Sequence, residues 1–125
     1  AKRKNFEIPG VGHHDPIPMG ASLGSMFFSS GIGGYDPKTG KQADALELQA
    51  ELAFNNLRAL MQQAGGTLNS VAHLTILLRD YSAQSAVMKH FTKTFPDERQ
   101  RPACHAMALG LPGSNLVQLH SLAVL

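Results

Sequence analysis

The sequence predicts an α+β fold, a mixed sheet of roughly four strands with two helices packed on one face. Three observations carry this. Segment 43–66 repeats apolar residues at helical spacing, and segment 82–96 does the same over a shorter span. Between them, "SVAHLTILLRD" at 70–80 is apolar at both parities, the pattern of a central strand covered on both sides.

The elements follow in order. "AKRK" at 1–4 is the one basic cluster and is expected to be a solvated, frayed terminus rather than a functional arm. Residues 9–24, "PGVGHHDPIPMGASLG", carry prolines and glycines that forbid a helix and interrupt a ladder, so an ordered loop or irregular edge strand is expected. "SMFFSSG" at 25–31 reads as a strand, and "GGYDPKTG" at 33–40 as turns.

In the first helix Leu46, Ala50, Ala53, Leu57, Leu60 and Ala64 recur at alternating spacings of four and three, giving one apolar stripe. Asp44 and Glu47 have capping-box spacing, and Gly65-Gly66 supplies a stop. In the second helix Val87, Met88, Phe91 and Phe95 share a face, Ser82 is the expected N-cap, and Pro96 lies just past the end. Strands at 103–110 and 115–125 complete the chain. Both helices cover one sheet face. The two-sided apolarity of 71–78 implies that something else covers the other, and a second copy of the chain is the economical candidate.

Composition bounds the function. The 125 residues fit a single domain, 1–125, whose first 14 residues are partly irregular. A net charge of +2 without basic–aromatic interleaving gives no support for nucleic-acid binding. One cysteine makes no internal disulfide, no metal-ligand spacing appears, and a reducing, cytoplasmic setting is the default expectation. No apolar run reaches membrane-spanning length and no signal-peptide pattern opens these residues.

The candidate chemistry centres on "RPACHAMALGLP" at 101–112. Neighbours on a strand point to opposite faces, so Cys104 and His105 are not a nucleophile–base pair. Ala103, His105, Met107 and Leu109 form the bulkier parity and are expected to meet the helices, making His105 a core residue. Cys104, Ala106, Ala108 and Gly110 form a small-residue face, where either a backbone approaches closely or a ligand fills the space. In the last strand Gln118 and His120 are expected on that same side, which allows a Cys104–His120 pairing across strands; the favoured alternative is an exposed or interface histidine. His13 and His14, in the Pro/Gly loop, complete no metal-ligand pattern.

The ordered set "FFSSGIGGYDPKTGK", "AGGTLNSVAHLTILLRD", "FPDERQRPA" and a final "LAVL" resembles the RidA (YjgF) family over about residues 15–125. The resemblance implies a chorismate-mutase-like α+β fold. It also implies a homotrimer with sheets around a central barrel, small-molecule clefts between subunits, and no cofactor. Family members with known activity hydrolyse reactive enamines and imines. The family's Pro-Ala-Arg motif falls on Pro102-Ala103-Cys104, so its carboxylate-binding arginine is missing, with Arg101 the nearest substitute anchor. A family glutamate falls on His120, and a family tyrosine on Ile17. "SSG" carries over and places Ser30 and Gly31 at the cleft beside the small face of Cys104 and Ala106. The expected catalytic residues are therefore His120 and Cys104. Two functions stand: a hydrolase of a small imine or enamine with an altered site, or a non-catalytic ligand-binding trimer.

Overall fold

The computed structural model describes all residues, 1–125. The strands are β1 (Arg3–Phe6), β2 (Gly20–Leu23), β3 (Met26–Ser29), β4 (Val71–Leu78), β5 (Ala103–Ala108) and β6 (Val117–Val124), and the helices are α1 (Leu46–Gln63) and α2 (Gln84–Thr94). They form one six-stranded sheet in the order β1-β2-β3-β6-β4-β5. Every pairing is antiparallel except β4 with β5, which are parallel and joined through α2. No helix is long and apolar enough to cross a membrane.

The α1 stripe behaves as its spacing requires. Ala50, Ala53, Leu57 and Leu60 are fully buried against Phe27, Leu74, Ile76, Val117 and Leu119 from the sheet. Truncating one of these leucines to alanine costs about 2–5 kcal/mol in such a core. Gly65 takes a positive φ of 85°, its N–H donates to Gln62 O, and Gly66 N–H donates to Met61 O. That paired closure satisfies carbonyls the helix end would otherwise leave open. On α2, Val87, Phe91 and Phe95 are buried, and Phe91 and Phe95 stack with ring centroids 5.2 Å apart.

Several local expectations are corrected. The Asp44/Glu47 capping box does not form: Ala45 is the N-cap and makes no side-chain bond. Glu47 instead accepts a hydrogen bond from His90 Nε2 at 2.8 Å, tying α1 to α2. Ser82 does not cap α2. Asp80 Oδ1 accepts the Ser82 N–H at 2.9 Å and starts a 3₁₀ turn that runs into the helix. This backbone bond holds the Asp80 carboxyl below its usual range. Residues 1–4 keep exposed side chains, but the backbone of Arg3 and Lys4 pairs with β2, so an edge strand begins at Arg3 where a frayed terminus was expected. Positive charge on such a strand discourages pairing with another chain. Residues 20–23 are likewise an interior strand. The sheet therefore has six strands where about four were expected.

Candidate functional site

Ile17, Ser30 and Gly31 line one cleft of about 620 Å³. About half of its wall comes from the irregular segment 8–19; the remainder comes from the turns after β3, Asn56 of α1, the loop between β5 and β6, and Gln118. Ser30 fixes the first wall to the sheet. Its N–H donates to Met19 O and its hydroxyl to Pro18 O, both at 2.8 Å. Gly31 leaves room for the Gln118 amide: a Cβ there would lie 2.4 Å from its amide carbon, so that side chain would have to move.

Two buried amides on α1 hold the surrounding loops. Asn56 donates to Gly33 O and Tyr35 O at 3.0 and 2.9 Å. Gln49, fully buried, donates to Ala43 O at 2.7 Å and Ser114 O at 2.9 Å, and accepts from Leu116 N–H at 2.9 Å. Arg79, just past β4, donates to the carbonyls of Asn115, Leu111 and Gly113, and so gathers the β5–β6 loop around one guanidinium. Pro112 and Asn115 of that loop line the cleft. Sequence reasoning missed all three residues. Polar residues within an amphipathic helix, such as Gln49 and Asn56, read as solvated positions, and all their partners but Ala43 lie 21–67 residues away in sequence.

The register of the sheet decides where the other candidates sit. Thr75 pairs with His120 on one side and His105 on the other. Laterally paired residues share a face, so His105 and His120 flank Thr75 on the face without helices. Gln118 lies on that face too, two residues before His120, with Leu77 as its β4 partner. By the same rule Cys104 and Ala106 pair with Leu74 and Ile76 and share the helix side, where Ala106 packs against the core. The expected parity of β5 is inverted: His105 is exposed and not a core residue, and Cys104 is on the opposite face from His120. In β6 the expected faces hold, with Val117, Leu119, Ser121 and Ala123 buried.

Cys104 and Ala106 do not line the cleft, and neither does Arg101, whose Nε donates to Phe95 O at 2.9 Å at the end of α2. Cys104 is a free, solvent-accessible thiol whose pKa is raised by partial desolvation, the reverse of an activated nucleophile. His120 Nε2 donates to Gln118 Oε1 at 3.2 Å, which leaves Nδ1 with the lone pair. Partial burial pushes its pKa down, so it is the neutral base near pH 7. His120 is not itself among the residues lining the cleft and reaches it only through Gln118, which is. No Lys or Arg lines the cleft to pair with a carboxylate.

Comparison with known proteins agrees with this frame. The chain is 27% identical over 111 residues to 2-iminobutanoate/2-iminopropanoate deaminase of Salmonella typhimurium, with 87% of each chain covered. The crystal structure of RidA from the Antarctic bacterium Psychrobacter superposes with a TM-score of 0.89 at 24% identity, covering 97% of this chain and 98% of that one. The structure of E. coli TdcF with bound serine gives 0.86 at 27% identity, with 98% of both chains covered. The pattern of the endoribonuclease L-PSP family matches residues 18–123, and with the sheet order and the two helices on one face it shows that the chain belongs to this family, the RidA/YjgF proteins.

Proposed function

We propose that the protein hydrolyses a small imine or enamine tautomer to the carbonyl compound and ammonia, with His120 as the general base. The observation that carries this is His120 itself, kept neutral by burial and joined through Gln118 to the cleft. Nδ1 takes a proton from water, the hydroxide adds to the imine carbon, and the imidazolium returns that proton to the imine nitrogen. Nδ1 then takes the carbinolamine hydroxyl proton and passes it to the amine as the C=O bond forms and the C–N bond breaks, releasing ammonia and the neutral ring. The Salmonella relative, named for imino acid deamination, supports the reaction class.

No lysine or arginine lines the cleft, and the His13 ring that does is already taken up by Glu7; this shapes the substrate. A charge-assisted contact to a carboxylate is worth roughly 2–5 kcal/mol when its partner is removed, so imino acids of the 2-aminoacrylate type are expected to turn over slowly. Exposed Leu23, Met26, Phe28 and Val124 on the helix-free face support a homotrimer that buries this face. The test compares ammonia release from 2-aminoacrylate generated in situ with release from its neutral carboxamide counterpart. Acceleration is expected for the carboxamide, with His120→Asn abolishing it. If the wild-type chain accelerates neither, the hydrolase reading falls and the non-catalytic ligand-binding trimer, which the missing cation also suits, takes its place.

A further inference from the structure

The segment 8–19 forms the near wall of the cleft, and it is fastened mainly at its ends. At one end Ile8 is buried, Val11 N–H donates to Ile8 O, and Gly10, with φ of 83°, packs so closely on the Pro37 carbonyl that a Cβ would clash. At the other end Met19 and Pro18 receive the Ser30 bonds. Between these anchors, residues 12–17 have one tie, the ring of His13. Its Nε2 lies 2.8 Å from Glu7 Oε1 and its Nδ1 lies 3.1 Å from Asp15 O. Both partners are acceptors. A neutral imidazole carries one N–H and can donate to one of them; both bonds require the imidazolium.

We propose that His13 is the positioning residue of the cleft wall and works as an imidazolium, so that one proton decides whether residues 12–17 are strapped down or loose. The charged groups that act on it are Glu7, from the end of β1, and Asp15 in the strap itself. Tyr35 and His14 are the other ionisable residues lining the cleft. The Glu7 hydrogen bond is the leading cause raising the His13 pKa. A raised value means the tie is complete below the ordinary histidine pKa of about 6.5 and is lost as pH climbs through the folded value. The strap's importance for turnover rests on the cleft being the ligand site, but the strap itself can be measured without ligand.

The experiment is NMR on the full chain without ligand. The His13 ring is titrated, and backbone 13C relaxation, which does not depend on amide protons, is recorded at pH 6.0 and 8.5. His13 should titrate above about 6.5. Order parameters of residues 12–17 should fall from near the rigid value of about 0.85 at the lower pH toward about 0.6 at the higher, while α1 stays unchanged. His13→Gln, with one amide donor group in place of two opposed N–H groups, should leave the strap loose at both pH values. Glu7→Gln, which keeps the acceptor without the charge, should move the transition to lower pH, and His14→Gln should leave it in place. A His13 titration at or below the unperturbed value overturns the proposal. So does a strap equally ordered at both pH values, or one indifferent to His13→Gln. Absence of any turnover would remove the functional reading and leave the strap result standing.

Discussion

Cys104 shows how one register pairing redirects a chemical hypothesis. Sequence parity correctly separated Cys104 from His105, but bulk was the wrong guide to which of the two meets the helices. Pairing with Leu74 puts the thiol on the helix side, and pairing with Thr75 puts His105 beside the His120 row. The consequences can be measured. Alkylation of Cys104 by iodoacetamide should still be accelerating at about pH 9, because desolvation raises its pKa. Cys104→Ala should leave turnover unchanged. A plateau near neutral pH would instead reveal an activated thiolate. His120 has the opposite sign of pH dependence from His13. Its lowered pKa keeps the base form available until pH falls below about 6.5, so activity should persist to that point and then decline on the acid side.

At the level of elements, the buried amides and hydroxyls separate positions that hold the loops from one that holds nothing. Gln49 makes three hydrogen bonds from a fully buried site, so Gln49→Leu leaves Leu116 N–H and two carbonyls unpaired and should cost about 3 kcal/mol or more, read as a shift in the urea midpoint. Ser121 Oγ is buried without a partner, and Ser121→Ala should be neutral or stabilise by about 1 kcal/mol. A loss of more than 1 kcal/mol there would show that the hydroxyl is paired after all. These elements also show what a sequence discloses. The α1 stripe was legible because its period persists over an 18-residue helix. The faces of β6 were legible because Val and Leu alternate with Gln and His. The four-residue strands β1 and β2 were not, since four residues hold too few alternations to establish a period. The face of β5 was not, because it is fixed by pairing with β4 about 30 residues earlier, and small residues sit on its core side. Ile17, Ser30 and Gly31, which the family resemblance singled out, line the cleft. Gln49, Asn56 and Arg79 escaped because their work is done on backbone carbonyls far along the chain.

For the whole molecule, the helix-free face carries exposed Leu23, Met26, Phe28 and Val124 beside Leu122, His120 and His105. With this face covered by two further copies, light scattering in physiological-salt buffer should give a mass near three times 13.4 kDa. A stable monomer at micromolar concentration would remove the trimer from the proposed function. The two sides of the cleft also differ in what can disturb them. Arg79 draws in the β5–β6 loop through three peptide carbonyls and has no carboxylate partner. Neither its own charge nor its acceptors change across the range in which enzymes work. That loop is an anvil, with no titrating group in its own grip, and the movement that the His13 proton controls falls to the opposite jaw. A ligand that spans the cleft is thus gripped by one surface of fixed shape and one whose firmness the surrounding medium sets.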